Sequence, residues 1–232
     1  MKEFDVIVVG GGHAGCEAAL ASARCGTRTL LITMGIQNVA RMSCNPSIGG
    51  IAKSHLVYEM DALGGEMARN ADYTGIQFRT LNTRKGPAVQ ATRVQCDMQA
   101  YSDRYASVLS ATKWLTLLEA EVGALWIESG RLCGVILSDK TSVRSRAVII
   151  TAGTFLNGKM FMGNRTWRGG RLNEPASFGL SESLVNCGLK TARLKTGTPA
   201  RLISKSLEYD RMEIQNGEDP PPLFSWKARR EL

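Results

Sequence analysis

A glycine-rich segment near the start of the chain, Gly10–Gly15, constrains the fold more than any other feature. It has the spacing G-x-G-x-x-G, and it follows an apolar run at Phe4–Val9 that predicts a buried strand. An alanine-rich stretch, Cys16–Cys25, comes next and predicts a helix. A strand, this spacing and a helix in succession are typical of a dinucleotide-binding βαβ unit. The alternative is a glycine-rich turn that holds no ligand.

Each glycine of the segment has a separate physical role in that interpretation. Gly10 allows a tight turn, Gly12 lets the backbone approach a pyrophosphate, and Gly15 lets the helix pack closely on the strand. The helix then directs its free N–H groups and the positive end of its dipole at the phosphates. His13 could contact a phosphate, but we interpret it as a tolerated loop residue.

The second strand, Thr29–Ile32, lacks the acid that usually follows it in such domains. A carboxylate about twenty residues after the glycines normally holds a ribose hydroxyl, whereas this strand is followed by Thr33 and Met34. The sequence therefore predicts another way of holding the ribose, and it disfavours an ordinary NAD site in this segment.

Composition and cysteine usage limit the class of protein. The 232 residues are 44% hydrophobic and 22% charged, as in ordinary soluble globular proteins. We expect a cytoplasmic protein, because neither a signal peptide nor a membrane-spanning run is evident. The six cysteines form no C-x-x-C pair and only two histidines are present. We therefore expect free thiols and no metal site.

The net charge of +8 is concentrated in the middle of the chain. Residues 79–200 hold 17 Lys and Arg against 8 Asp and Glu. Such a balance would attract phosphates. Composition alone favours the simpler interpretation, a solvated basic face.

The remaining pattern predicts an α/β fold of the doubly wound type. Apolar residues at helical spacing predict a helix from Ile48 to Leu63, ended by Gly64 and Gly65, and a further helix beginning at Pro87. Short strands predict an antiparallel meander at about 115–146, followed by a return strand at Ala147–Ile150. We expect another helix at Ser177–Cys187.

Longer strings of sequence are much more specific than the glycine spacing. They are Gly10–Gly15, Met42–Gly50, Asp61–Gly65, Lys85–Val89 and Leu194–Arg201. Together they resemble the MnmG (GidA) family of bacterial tRNA-modifying flavoproteins, and the similarity runs to about Trp226. Members of that family are much longer, so the resemblance implies an N-terminal portion.

The resemblance implies a fold and an activity. The expected fold is a doubly wound, Rossmann-like FAD-binding domain over 1–200, incomplete and carrying the small antiparallel β insertion. Residues 201–232 would be a linker and the start of a second, truncated domain. With the GTPase MnmE, the family adds a carboxymethylaminomethyl group to the 5-carbon of the tRNA wobble uridine. Methylene-tetrahydrofolate, glycine and NADH are the co-substrates, and family members form homodimers.

The resemblance also implies the site residues. The FAD phosphate loop would be Gly10, Gly11, Gly12, His13, Ala14 and Gly15. Val122 would contact FAD through its backbone near the adenine, and Ser177 would contact FAD as well. Cys44 matches one of two cysteines that the family needs for activity. The other cysteine and most of the NADH-binding segment lie outside this chain, so we expect the chain alone to be inactive.

Cys44 also has a chemical interpretation of its own. It precedes a predicted helix N-terminus and lies near Arg41 and Lys53 in sequence, and both features favour a thiolate. A thiolate could add to a uracil ring and make the neighbouring carbon nucleophilic. The alternative is a small buried apolar residue.

In this interpretation, the positive charge of residues 79–200 would serve to bind tRNA. We expect the tRNA anticodon region to contact six residues predicted to lie on loops: Arg79, Arg84, Lys85, Arg165, Arg168 and Arg171. Anticodon-loop bases can be splayed out of the stack, so a wobble base is within reach of an enzyme.

Two other functions remain open from the sequence. One is a folate- and FAD-dependent tRNA uracil methyltransferase, in which we would not expect the string Met42–Pro46. The other is a truncated module that binds a nucleotide without turnover.

Overall fold

A computed structural model of the chain describes residues 3–231. These residues fold into two compact units, each built from two segments of the chain. The first unit comprises residues 3–41 and 102–194, and the second comprises residues 42–101 and 195–231.

The described residues form eleven strands and six α-helices. In chain order they are β1 (Glu3–Val9), α1 (His13–Arg24), β2 (Thr29–Thr33), β3 (Ser47–Gly49), α2 (Lys53–Ala62), α3 (Met67–Thr74), β4 (Gly75–Leu81), β5 (Ala91–Cys96), α4 (Met98–Ala111), β6 (Leu115–Glu119), β7 (Val122–Glu128), β8 (Arg131–Leu137), β9 (Ser142–Ile150), β10 (Lys159–Met162), β11 (Arg165–Arg168), α5 (Leu180–Asn186) and α6 (Ala228–Glu231).

A six-stranded sheet organises the first unit, with the strand order β6-β2-β1-β9-β8-β7. The strands β6, β2, β1 and β9 are parallel, and β8 and β7 continue the sheet in antiparallel fashion. β2 is buried at every position, as expected for a strand covered on both faces. The predicted α/β class, with a Rossmann-like parallel core and a small antiparallel β insertion, is confirmed.

The predicted meander at 115–146 is wrong in one strand. β6 does not pair with β7; it lies parallel to β2 at the edge of the main sheet, with Leu117 opposite Leu31. Only β7, β8 and β9 are antiparallel neighbours, and they extend the same sheet. β9 is also longer than the predicted return strand, because it begins at Ser142, where it pairs with β8, and ends at Ile150, where it pairs with β1.

A three-stranded antiparallel sheet organises the second unit, with the order β3-β5-β4. One face of β5 is buried, with Val94 and Cys96 almost fully enclosed. Phe224 joins the same unit, where its ring lies 5.2 Å from that of Tyr58. A long irregular segment, residues 195–227, closes this unit and contributes only short turns of 3-10 helix.

The predicted helix from Pro87 is wrong. Pro87–Val89 forms a single 3-10 turn, β5 follows it, and the helix begins only at Met98. Thr92 and Val94 alternate with more exposed residues along β5, which is the pattern of a strand. Asp97 then caps α4, because its Oδ1 accepts the N–H groups of Gln99 and Ala100, each at 2.9 Å.

The predicted helix from Ile48 begins later than expected. Ile48 lies on β3, and the backbone then turns through Gly49, Gly50 and Ala52, whose φ angles are +83°, +101° and +63°. A right-handed helix cannot pass through such positive φ angles, so α2 starts at Lys53. The predicted end is confirmed, since α2 ends at Ala62 and Gly64 takes a φ of +88°.

Residues 3–231 hold neither a membrane-spanning helix nor a metal-binding cluster. No helix in that range is both long and apolar enough to cross a bilayer. Within the same residues, no group of three or more His, Cys, Asp or Glu side chains is placed to hold a metal ion. The predicted division into a domain over 1–200 and a further segment over 201–232 stays a prediction.

Candidate functional site

The glycine-rich loop connects the end of β1 to the start of α1 in the first unit. Gly10 has a φ of +108°, a conformation that favours glycine, and its N–H donates to the Ile32 carbonyl at 2.8 Å. The next residue, Gly11, accepts a hydrogen bond from the Ala40 N–H at 2.8 Å. These bonds fix the loop at the carboxyl ends of β1 and β2, the edge at which open α/β sheets bind ligands.

Gly15 is required by close packing. A Cβ on Gly15 would overlap the Gly10 carbonyl oxygen and lie 2.7 Å from Thr151 Oγ1. Thr151 follows β9 and donates its hydroxyl to the Val9 carbonyl at 2.9 Å or the Gly10 carbonyl at 3.1 Å. The end of β9, the loop and the first turn of α1 are therefore locked together.

Gly12 differs from its neighbours because it has open space in front of it. It is exposed, its φ of −72° and ψ of −178° are open to any residue, and a Cβ there would meet nothing within 4 Å. Among the described residues, no side chain caps the N-terminus of α1, and its first turn holds no acid. The positive end of the helix dipole is therefore available to an anionic ligand.

His13 is a neutral packing residue at neutral pH. Burial, reinforced by the nearby Arg171 charge, lowers the pKa of its imidazole to about 4. The ring meets Tyr105 edge-on, with centroids 6.4 Å apart. His13 therefore brings no positive charge to a phosphate, whereas Ala14 beside it is exposed.

The edge beside β2 holds a carboxylate that sequence reasoning missed. Glu119, at the end of β6, accepts a hydrogen bond from the Ile36 N–H at 2.8 Å. Its position next to β2 follows from the parallel pairing of β6, which the sequence did not reveal. A carboxylate at this edge can accept a hydrogen bond from a ribose hydroxyl, as the missing acid after β2 would have done.

Val122 and Ser177 lie on adjacent segments of the first unit. Val122 begins β7 and packs in the core with Leu180. Ser177 is buried, and its backbone N–H donates to the Phe155 carbonyl at 2.8 Å. The two segments meet where a Cβ on Gly179 would lie 2.7 Å from the Gly123 carbonyl oxygen. Val122 is almost fully buried, and its predicted backbone contact with FAD stays a prediction, as does that of Ser177.

Cys44 belongs to the second unit, where it lies on an exposed loop. Its thiol is within 3.6 Å of the Gly197 carbonyl oxygen. β3 and a turn separate Cys44 from α2, so the helix that was predicted to begin a few residues after Cys44 begins only at Lys53. Exposure also argues against a buried apolar role for this thiol. All six cysteines are free.

The basic residues predicted to lie on loops occupy several kinds of position. Arg84 and Lys85 lie on an exposed turn after β4. Arg165 and Arg168 lie on β11 rather than on a loop. Arg171 pairs with Glu174 at 2.8 Å. Arg79 lies on β4, where its Nη1 donates to Gln215 Oε1 at 3.0 Å.

A parallel-rich sheet with a loop of three glycines and an open helix N-terminus at its carboxyl edge defines a Rossmann-like α/β fold. Comparison with known proteins identifies the family. The sequence profile of "Glucose inhibited division protein A" matches residues 5–231, and the chain belongs to this family.

Relatives and solved structures agree with this assignment. The chain is 53% identical over 228 residues to the tRNA uridine 5-carboxymethylaminomethyl modification enzyme MnmG of Pelobacter propionicus, and 51% identical over 229 residues to that of Geobacter sulfurreducens. It superposes on Aquifex aeolicus GidA with a TM-score of 0.93 and 46% identity, covering 97% of this chain and 37% of that one. The GidA-related protein of Thermus thermophilus, 23% identical with a TM-score of 0.59, shares the fold.

The alignments cover nearly all of this chain but only part of each relative. The alignments cover 98% and 99% of this chain but 36% of each of the two MnmG proteins. The chain therefore spans about a third of the length of the curated relatives that it matches.

Proposed function

We propose that this chain is the FAD-binding part of a flavin-dependent tRNA-modifying enzyme. The observation that carries the proposal is the open N-terminus of α1, where Gly12 has nothing in front of it and no acid occupies the first turn. With the GTPase MnmE, the complete enzyme would add a carboxymethylaminomethyl group to the 5-carbon of the tRNA wobble uridine. Methylene-tetrahydrofolate, glycine and NADH would be its co-substrates, and the enzyme would act in the cytoplasm as a homodimer.

We assign the contacts with FAD to residues of the first unit. The backbone amides that follow Gly12 would hold the diphosphate, because the first-turn N–H groups of a helix have no acceptor within the helix. The Val122 backbone would contact the adenine, and Ser177 would contact FAD beside it. Bound flavin would supply hydride transfer, which the chain itself cannot perform.

The experiment that tests FAD binding is direct. The purified 232-residue chain is expected to carry flavin absorbance and to release FAD, identified by chromatography, on heat denaturation. FAD added to stripped protein should rebind and raise the unfolding temperature, because a ligand that binds only the folded state stabilises it. Folded protein that neither retains nor rebinds FAD would contradict the proposal for this chain.

Cys44 is the residue that we propose as the nucleophile. Its exposed thiol can reach a substrate, and as a thiolate it would add to the uracil ring and make the neighbouring carbon nucleophilic. Arg84 and Lys85, on their exposed turn, would contact tRNA phosphates.

A substitution at Cys44 tests this chemistry in an enzyme extended to the length of the relatives. Cys44→Ser is expected to lower the rate of tRNA modification by roughly a thousandfold or more, because a hydroxyl is a far weaker nucleophile than a thiolate. Mass spectrometry of undermodified tRNA would measure the product. Cys25→Ser, at another exposed cysteine, is the matched control and should retain activity. Undiminished modification by Cys44→Ser would remove Cys44 from the mechanism.

A second candidate function is a nucleotide-binding module without turnover. Flavin retained by the 232-residue chain without tRNA modification, together with modification by the extended enzyme, would assign binding to this segment and catalysis to the whole protein.

A further inference from the structure

Two arginines face each other across neighbouring strands of the second unit. Arg79 on β4 pairs directly with Arg93 on β5, and Gln77 pairs with Gln95 two positions along. Side chains alternate between the two faces of a sheet, so all four project from the same face. Like charges directly opposite each other on antiparallel strands are destabilising. An arginine pair in this place therefore calls for a compensating group.

Neither arginine forms an ion pair in the part of the chain that the structure describes. Between residues 3 and 231, neither Arg79 nor Arg93 has a carboxylate within salt-bridge distance. The Nε of Arg79 is buried and has no hydrogen-bond partner among those residues. Buried donors are nearly always paired, so this nitrogen leaves the arginine pair short of acceptors among the described residues.

The segment around residues 213–218 runs beside β4 and contacts one arginine of the pair. Gln77 Nε2 donates to the Gln215 carbonyl at 2.7 Å, and Arg79 Nη1 donates to the Gln215 side-chain oxygen at 3.0 Å. Farther along, Glu218 accepts hydrogen bonds from the N–H and the hydroxyl of Thr80. The segment around residues 213–218 is thereby fastened along the free edge of β4.

The result is a polar cavity of about 290 Å³ within the second unit. Its polar lining consists of Gln77, Arg79, Arg93, Gln95, Glu213 and Gln215. Two guanidinium groups and one carboxylate leave it with a net positive charge. The glutamine amides add neutral donors and acceptors, and Gln95 Nε2 already donates to Gln77 Oε1 at 3.2 Å.

We propose that this cavity binds a small ligand through a carboxylate or phosphate group held between Arg79 and Arg93. Guanidinium groups match the geometry of both anions and bind them through paired hydrogen bonds. The volume lies near the lower limit of small-molecule pockets, which favours a small molecule over a polynucleotide. The residues that line the cavity all belong to the second unit, whereas the glycine-rich loop belongs to the first.

Arginine side-chain NMR signals give a direct test. In ¹H–¹⁵N spectra of the 232-residue chain, the Nε–Hε signals of Arg79 and Arg93 are assigned by their loss in Arg79→Gln and Arg93→Gln. Inorganic phosphate and sodium acetate are titrated separately in a zwitterionic buffer of low ionic strength. Both signals are expected to shift together and to saturate with at least one probe, and the probe that binds more tightly identifies the anion class. These signals distinguish the cavity from phosphate binding at the N-terminus of α1.

Substitution of one arginine distinguishes specific anion binding in the cavity from nonspecific electrostatic attraction to a basic surface. Arg93→Gln is expected to raise the probe concentration for half-maximal shift of the Arg79 signal by about tenfold or more, because one of the two charged donors is lost. Arg131→Gln, at an exposed arginine at the start of β8, is the matched control and should leave the titration unchanged. If Arg93→Gln fails to fold, Arg93→Lys is used, and the same loss of affinity is expected because lysine lacks the planar fork. Signals that do not respond to either probe, drift without saturation, or respond equally in the Arg93 variant would overturn the proposal.

Discussion

Gly12→Ala is expected to weaken FAD binding severely while leaving the fold intact. The added methyl group would point into the open space in front of α1, where the diphosphate has to approach the backbone. Crowding of a close contact by one methyl group costs about 1–3 kcal/mol, which corresponds to a loss of affinity of roughly tenfold to a hundredfold. Flavin content after purification and titration of stripped protein with FAD would measure the loss.

Gly12→Ala should lose affinity for FAD without losing stability of the fold. Gly12 has φ and ψ angles that alanine adopts without strain, and its Cβ would touch no protein atom within 4 Å. We therefore expect the free energy of unfolding of the FAD-free variant to lie within about 1 kcal/mol of that of FAD-free wild type. Gly15→Ala should behave in the opposite way, because its Cβ overlaps the Gly10 carbonyl and the packing of α1 must change.

Gly86→Ala is the matched control for Gly12→Ala. Gly86 also precedes a helical turn in extended conformation, with a φ of −62°, and also has nothing within 4 Å of its Cβ. It should retain both stability and FAD. If Gly12→Ala bound FAD as tightly as wild type, the diphosphate could not lie against the start of α1, and the proposed site would be wrong.

The glycine-rich part of the site was predictable because its determinants are local. β1, the turn at Gly10 and α1 follow each other without interruption, and the spacing of the glycines reflects contacts within that short unit. Glu119 was not predictable in the same way. It reaches the edge beside β2 only through the parallel pairing of β6, a contact between residues far apart in sequence.

The failed secondary-structure predictions also have physical reasons. Pro87 is a good first residue of a helix, but Asp97 provides the stronger N-terminal signal because it caps two N–H groups of α4. The apolar positions from Ile48 onward fit a helix, yet Gly49 and Gly50 adopt positive φ angles that stop it. In both places a residue that fixes the local backbone outweighed apolar spacing, which by itself does not locate where a helix begins.

Asp72 holds the irregular end of the second unit, and its importance could not be seen in the sequence. Its carboxylate is almost fully buried and accepts the Phe224 N–H at 2.9 Å and the Ser225 N–H at 2.7 Å. Phe224 and Ser225 are themselves buried, about 150 residues later in the chain. One carboxylate thereby satisfies two buried backbone donors that have no place in a helix or sheet.

Burial also gives Asp72 an unusual pH dependence. Loss of solvation raises the pKa of this carboxyl to about 6, although hydrogen bonds from Phe224 and Ser225 act to lower it. The folded protein therefore binds a proton at Asp72 more tightly than the unfolded chain does between about pH 4 and pH 6. The contribution of Asp72 to the free energy of unfolding is largest at low pH, and it falls by up to about 3 kcal/mol as pH rises through this range.

Asp72→Asn is expected to destabilise the protein by about 2–4 kcal/mol at pH 7, because an amide offers one acceptor oxygen to two buried donors. The thermal unfolding temperature should fall by roughly 5–15 °C, and limited proteolysis should cut the segment between residues 195 and 223 more readily. Asp61→Asn is the matched control, since Asp61 accepts the exposed Trp226 N–H at 3.2 Å, and it should cost less than about 1 kcal/mol.

The difference in the free energy of unfolding between wild type and Asp72→Asn gives the pH test. This gap should widen as pH falls from 7 to 4, because only wild type takes up a proton at this position. A gap that is absent, or that narrows toward acid pH, would show that Asp72 neither holds the segment nor titrates as its burial requires.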